Sequence, residues 1–453
     1  MNQFQGAVGL SIEHDSAQMH VQGSAKYIDD MLEPSGTLHV AFALSGVAHG
    51  NIIGIDIESA KKADGVHSVL LAEDIEHLMI GPILHDEPIL ANNEVLFYGQ
   101  AIAAVLAETH DQAKKAALLV QAKIEELEAV VTVEQALEKK SFLDDPIVVS
   151  TGDSQTAIKK AKNTLNGSLS IGGQEHYYLE GQVAISIPTE DNEMVVHSST
   201  QNPTEVQHLV AHVLDVPQNA IEVVTRRMGG GFGGKETDSS QLACICAIFS
   251  KRTLRPVKAR LSRKDDILLT GKRHDFVAKY EVGYNDEGII QGIEIDLAAR
   301  CGYSLDLSKA IVSRALFHAD NTYFIPNATF KGFLCKTNTA SNTAFRGFGG
   351  PQGMLTIENI IEEIANNMGT DPLNIRKINY YQKGSNNVTP YDQVIEDNII
   401  EEITNELIED SNYLSRRKEI DLFNKKNQFL KKGLSFSPVK FGISFTTQLL
   451  NQA

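Results

Sequence analysis

The sequence predicts a mixed α/β chain of the α+β type, built from more than one domain. Three observations carry this. At 453 residues the chain exceeds what one hydrophobic core organises. Short β-branched runs alternate with helix-like apolar stripes along most of its length. Two glycine-rich turns, Gly229-Gly230-Gly231-Phe232-Gly233-Gly234 and Gly347-Phe348-Gly349-Gly350, each lie just after an arginine, Arg227 in the first and Arg346 in the second. Glycine at this density marks backbone that takes positive φ or approaches another group closely. The two turns read as two walls of one site.

Taken in order, residues 1–133 read as a small α/β unit. Ile52-Ile53-Gly54-Ile55-Asp56-Ile57 and Ala101-Ile102-Ala103-Ala104-Val105-Leu106 are its strand candidates. Thr109 opens a helix with Gln112 at the capping-box position, and Ala113, Ala116, Ala117 and Val120 form one stripe. The polar stretch 134–150, with Asp144-Asp145-Pro146, reads as a linker. A second domain spans 151–385. There Asn202 caps a helix with Pro203 first and Glu205 three residues on, and Val206, Leu209, Val210 and Val213 make its apolar face. A β-branched run, residues 221–225, leads into the first glycine turn, and a helix at 238–249 leads out. Strands follow within 279–282 and 289–298. After the second turn, residues 354–368 are helical and Gly369 is the stop. The composition shifts near Pro390, so 386–453 reads as a further unit, with charged surface helices over 401–427 and a strand over 441–446.

Composition excludes several functions. Hydrophobic content of 42% and charged content of 22% are those of a soluble globular chain. A net charge of −17 argues against nucleic acid or an anionic membrane as partner. No apolar run approaches the ~20 residues that span a bilayer. The first residues show neither a basic patch nor an apolar core, so no signal peptide is visible. Four cysteines, Cys244, Cys246, Cys301 and Cys335, make no disulfide framework in a chain this long, and a cytoplasmic protein with reduced thiols is expected. Cys244 and Cys246 lie two apart on a helix, hence on different faces, and read as small buried hydrophobes rather than a metal pair.

The first glycine turn invites comparison with phosphate loops. It satisfies the Walker spacing as far as Lys235, but Glu236 stands where Mg²⁺ and phosphate chemistry needs a hydroxyl. It also fits Gly-x-Gly-x-x-Gly, yet Leu254-Arg255-Pro256 occupies the region where a ribose-binding acid belongs. Five glycines around one phenylalanine exceed what a plain strand-to-helix turn needs.

Four segments together resemble the molybdenum-binding subunits of the xanthine oxidase and aldehyde oxidase family, bacterial xanthine dehydrogenases in particular. They are Gly172-Gly173-Gln174-Glu175-His176-Tyr177-Tyr178-Leu179-Glu180, the stretch 227–236, Ser313-Arg314-Ala315-Leu316-Phe317-His318, and Asn342-Thr343-Ala344-Phe345-Arg346-Gly347-Phe348-Gly349-Gly350-Pro351-Gln352. The resemblance implies an N-terminal α/β-hammerhead domain, then a first molybdopterin-binding domain, then the beginning of a second. It implies a molybdenum–pterin cofactor that hydroxylates a carbon beside a ring nitrogen, with water as the oxygen source. Gln174 would hydrogen-bond a metal oxo group, and Phe232 and Gly233 would pack against the metal's ligands. Arg346 would sit beside the metal. Glu236 and Arg314 would bind the purine on opposite edges, and Phe348 would stack on its ring. None of these side chains would ligate the molybdenum directly. FAD and 2Fe-2S centres are expected on a partner subunit.

Each residue also has a plainer reading. Gln174 could be a solvated strand residue, Glu236 a helix-capping carboxylate, Arg314 a surface arginine, and His176 and His318 structural histidines. In the family the subunit continues through the second cofactor-binding domain, which supplies most pterin contacts and a glutamate base. The expectation is therefore a chain working with a partner that carries that C-terminal half. The alternatives are a non-catalytic remnant and an aldehyde oxidoreductase of the same family.

Overall fold

The computed structural model describes residues 8–442. Two large sheets organise the chain. The first has seven strands in the order Ile221–Val224, Met194–Ser198, Val183–Pro188, Val257–Arg260, Leu38–Leu44, Ala101–Ala107 and Val66–Leu70. Strands from the first 133 residues and strands beyond 151 therefore share one sheet. The seam is Leu38–Leu44 running parallel to Val257–Arg260, with Leu38 opposite Val257.

Every residue of Ala101–Ala107 is buried, because both faces of this sheet are covered. On one face Ala104 and Leu106 meet the helices Pro203–Leu214 and Ser239–Thr253 in the largest core. On the other, Ala103 and Val105 meet Ala113, Ala116 and Ala117 of the helix His110–Ala117. The small side chains on that face allow the close helix–sheet approach.

The second sheet has five strands in the order Asn163–Ile171, Phe276–Tyr284, Ile290–Gly302, Ala328–Lys336 and Ile147–Thr151. The helices Ser308–Phe317 and Gly350–Met368 pack on it through Val312, Leu316, Ile357, Ile360, Ile361 and Ile364. At Gly332 a Cβ would lie 2.4 Å from Val312, so glycine lets the helix seat on the strand.

Local predictions hold where caps defined them. Thr109 accepts from the Gln112 amide, Asn202 accepts from the Glu205 amide, and Gly369 ends its helix in the left-handed region. Val120 lies beyond its helix but still packs against the same alanine cluster. The stretch 134–150 is not structureless. It contains most of the helix Val133–Lys139 and the edge strand Ile147–Thr151, paired antiparallel with Ala328–Lys336. Its polarity comes from the exposed face of that helix and from Lys140, Asp144 and Asp145, while the strand itself is Ile-Val-Val-Ser-Thr. The charged tail forms two helices, Ile400–Asp410 and Tyr413–Lys426. Of the strand expected at 441–446, Phe441 and Gly442 lie in irregular backbone and the rest falls outside the described residues.

The Asn202 cap starts the helix Pro203–Leu214, whose buried face includes Val206, Leu209 and Val210. Asn202→Ala should cost about 1 kcal/mol and Asn202→Gly only a few tenths, measured by denaturant unfolding.

Candidate functional site

The first glycine turn joins the strand Ile221–Val224 to the helix Ser239–Thr253. Within it Gly230, Phe232 and Gly233 take φ of 95°, 55° and 103°. A Cβ at Gly233 would stand 2.3 Å from the Ala344 carbonyl oxygen, so only glycine fits. In the second turn Gly347, Phe348 and Gly349 take φ of 100°, 51° and 94°. The turns are bonded directly, the Arg346 amide donating to the Phe232 carbonyl at 2.9 Å. They do form two walls of one place.

Side chains from the segment after Ile171 hold the first turn. Glu180 Oε2 accepts from the Gly229 amide at 2.8 Å, from Ser199 Oγ at 2.6 Å and from Lys235 Nζ at 3.3 Å. Lys235 has no exposed surface, and its ammonium also lies 4.7 Å from the Tyr178 ring centroid. Burial pulls its pKa below the ordinary lysine value, opposed by Glu180. Gln201 Oε1 accepts from the Gly233 amide at 2.8 Å.

Gln174 is exposed, and it joins the second turn through a residue that the sequence did not flag. Arg273 donates Nε to Gln174 Oε1 at 2.6 Å and Nη2 to the Arg346 carbonyl at 2.8 Å, and it lies over the Phe345 ring at 3.9 Å. Its Nη1 is buried without a partner among the described residues, and burial lowers its pKa to about 10, so it stays charged at neutral pH. The carbonyl end of Gln174 being engaged, its amide nitrogen is the end presented as a donor. His176 is buried, bonded to the Ala344 carbonyl at 2.7 Å and stacked on Phe345. Burial keeps it neutral, and a carbonyl acceptor places the ring proton on Nε2.

Glu236 follows the first turn, half-buried, with its amide donating to the Gly233 carbonyl at 3.1 Å. Burial, then the nearby Asp306 carboxylate, raise its pKa to about 7. Asp306 is itself raised to about 6 by burial, and it hydrogen-bonds Thr343, just before the second turn, and Thr237, just after the first. Phe348 is half-buried and packs against Leu307, Ile311 and Ala344.

Arg314 lies on the helix Ser308–Phe317 and is only 5% exposed, which removes the surface-arginine reading. Its Nη1 donates to the Gly442 carbonyl at 2.7 Å, its guanidinium faces Phe441, and its Nε has no partner among the described residues. The second turn touches this helix directly, since a Cβ on Gly349 would meet the Ile311 carbonyl at 2.0 Å. The structure thus gathers Gln174, both turns and the arginine helix into one contiguous assembly. Phe232 and Arg346 are exposed on it, and no ion pair joins Glu236 to Arg314 among the described residues.

Tight backbone turns, an amide donor, and a buried guanidinium with an open N–H suit an anionic, oxygen-rich group such as a molybdenum–pterin cofactor. Comparison with known proteins gives the same class. Residues 138–380 match the molybdopterin cofactor-binding domain family, and residues 22–128 match the a/b hammerhead domain of aldehyde oxidase and xanthine dehydrogenase. The chain belongs to the molybdopterin-binding xanthine dehydrogenase and aldehyde oxidase family.

Among its relatives, the xanthine dehydrogenase of Dictyostelium discoideum is 42% identical over 98% of this chain and 32% of its own length. Xanthine dehydrogenase 1 of Arabidopsis thaliana is 43% identical over 99% of this chain and 33% of its own length. The chain spans about a third of these relatives. Among solved structures, the aldehyde oxidoreductase from Desulfovibrio gigas superposes with a TM-score of 0.81 at 27% identity, covering 91% of this chain and 46% of its own. Quinoline 2-oxidoreductase from Pseudomonas putida 86 shares the fold, with a TM-score of 0.85 at 23% identity over 93% of this chain and 56% of its own. The expected hammerhead and molybdopterin-binding architecture is therefore observed. No helix is long and apolar enough to cross a membrane among the described residues.

Lys235→Met would strand the Glu180 carboxylate under the first turn. It should destabilise the protein by about 3–5 kcal/mol in denaturant unfolding, and adding Glu180→Gln should recover part of the loss.

Proposed function

We propose that this chain is the molybdenum-cofactor-binding part of a xanthine dehydrogenase, acting on hypoxanthine and xanthine. The observation that carries the reading is Arg314: a buried guanidinium with neither a carboxylate partner nor an Nε hydrogen bond among the described residues, on the helix against which the Phe348 turn packs. Relatives named xanthine dehydrogenase, at 42% and 43% identity, support the same substrate class over aldehydes.

When bound, the cofactor supplies oxygen-atom insertion at a carbon beside a ring nitrogen, with water as the oxygen source and two electrons withdrawn. Gln174 donates its amide N–H to an oxygen of that group without adding charge. The Phe232 and Gly233 backbone and Arg346 would hold it, with Arg273 fixing Gln174 and the Arg346 carbonyl. Phe348 stacks on the purine. Arg314 donates to the purine carbonyl oxygen and stabilises the negative charge that develops there. Glu236 meets another edge of the ring, as a donor when protonated and an acceptor when ionised. The other two thirds of the relatives' length, whether on this polypeptide or on partner subunits, would supply the FAD and 2Fe-2S centres that take the electrons. It would also supply the second half of the cofactor pocket and the general base.

In the cofactor-loaded assembly, Arg314→Met should lower kcat for xanthine about 10²–10³-fold, the usual effect of deleting one oxyanion donor, and leave aldehyde turnover intact. Unchanged xanthine kinetics would overturn the purine assignment.

The pH dependence follows from Glu236. Its raised pKa of about 7 means that it holds its proton below that value and loses it above. If the protonated form donates to the purine, KM for xanthine rises as pH passes upward through 7. Glu236→Gln, a permanent donor, should flatten that rise in steady-state kinetics between pH 6 and 8, values set about one unit to either side.

A further inference from the structure

Among the described residues Arg314 has no carboxylate partner, and its hydrogen bond there goes to a backbone carbonyl. The contacts lead to one segment, residues 438–442, which crosses the end of the arginine helix and the turn that follows it. Asn321 grips this strap from both sides. Its Nδ2 donates to the Pro438 carbonyl at 2.9 Å, and its Oδ1 accepts from the Lys440 amide at 3.0 Å. His318 Nδ1 lies 3.1 Å from the Lys440 carbonyl. Burial, with Lys440 and Arg314 nearby, pushes the His318 pKa down to about 4, so the neutral ring donates there. Lys440 Nζ reaches the fully buried Asp320 and donates to Tyr391 at 2.7 Å.

With the strap anchored at Pro438 and Lys440, its next two residues fall on Arg314. Phe441 stacks on His318, with ring centroids 5.0 Å apart, and covers the Arg314 guanidinium at 5.3 Å. Gly442 offers its carbonyl to Nη1 at 2.7 Å. The strap also touches the second glycine turn, where a Cβ on Gly350 would stand 3.2 Å from the Phe441 ring. One segment therefore meets both the arginine helix and the wall that carries Phe348.

We propose that residues 438–442 are a positioning strap for Arg314. The Gly442 carbonyl occupies one arm of the guanidinium fork and Phe441 covers its face. The plane is thereby fixed, with Nε buried and making no hydrogen bond among the described residues. A planar fork held at one end can recognise a carbonyl oxygen geometrically, whereas a long, unrestrained side chain would have to be ordered on each binding event. The inference rests on the purine reading of Arg314, and Phe441 and Gly442 act through Arg314 rather than on the substrate.

The test is a double-mutant cycle in the cofactor-loaded assembly, with calorimetric titration of urate as the probe and xanthine kinetics beside it. Phe441 is 52% exposed, so Phe441→Ala should leave the fold intact. It should weaken urate binding about tenfold, a usual coupling for touching residues, and Phe441→Tyr, which keeps the ring, should restore it. In an Arg314→Met background the Phe441→Ala effect should vanish. Wild-type affinity in Phe441→Ala, or effects that simply multiply in the double variant, would overturn the strap. Should Arg314→Met itself leave urate affinity unchanged, the purine reading fails instead. Hydrogen exchange then decides the strap alone. The Lys440 amide must exchange faster in Arg314→Met, and unchanged exchange overturns the coupling whatever the ligand.

Discussion

The close approach of two backbone turns is the constraint on which the rest of the site depends. The first turn lies against the Ala344 carbonyl at Gly233, and the second lies against the Ile311 carbonyl at Gly349. The second turn is thus gripped between the first turn and the arginine helix. Both contacts are with backbone, so no rotamer change relieves an added methyl. The same geometry forces Phe232 and Phe348 to φ of 55° and 51°, a conformation that costs about 1–3 kcal/mol and persists only where surrounding packing over-determines it. Two strained phenylalanines in matching positions mark the turns as more than connections.

Charge is arranged around these turns unevenly. Lys235 is paired with Glu180 and serves the scaffold. Among the described residues Arg273 and Arg314 are buried without carboxylate partners, and each donates only to carbonyl-type oxygens and has one buried nitrogen that makes no hydrogen bond. A buried guanidinium without a counter-ion is costly unless something anionic completes it. One such cation flanks the Gln174 segment and the other flanks Phe348. That distribution supports an anionic cofactor on one side and an anion that develops on a substrate on the other.

What the sequence made legible was what lies within a few residues. The caps at Thr109 and Asn202 read correctly because a side chain and its amide partner are neighbours in the chain, and the stop at Gly369 because its left-handed backbone is a property of the residue itself. The shared sheet did not, since Leu38–Leu44 and Val257–Arg260 pair across most of the N-terminal half and neither strand signals the other. The short strand Ile147–Thr151 was hidden in a linker reading by the charged residues before it, Glu138 to Lys140 and Asp144-Asp145. In the site, the glycine turns announced themselves by composition. Arg273 did not, because its meaning lies in bonds to Gln174 and Arg346, which are remote in sequence. Nor could Glu236 reveal its proton affinity, which depends on burial and on Asp306.

The carboxyl groups behind the first turn show which requirement dominates there. Glu236, Asp306 and Asp238 are raised to about 7, 6 and 8, in each case by burial first, although Asp238 stands at a helix N-terminus where a carboxylate is favoured. Carboxyls that bind protons more tightly folded than unfolded make stability fall as pH rises from the ordinary carboxylate range through 7 to 8, a span set by those values. A scaffold selected for stability alone would replace them with apolar or amide side chains. Under the purine reading proposed above, Glu236 and Arg314 suit a ligand with both donor and acceptor edges. Arg314 can only donate, while Glu236, poised near neutrality, can do either. A purine presents that mixed edge, whereas an aldehyde presents a single acceptor and gains nothing from a carboxyl that can change sides.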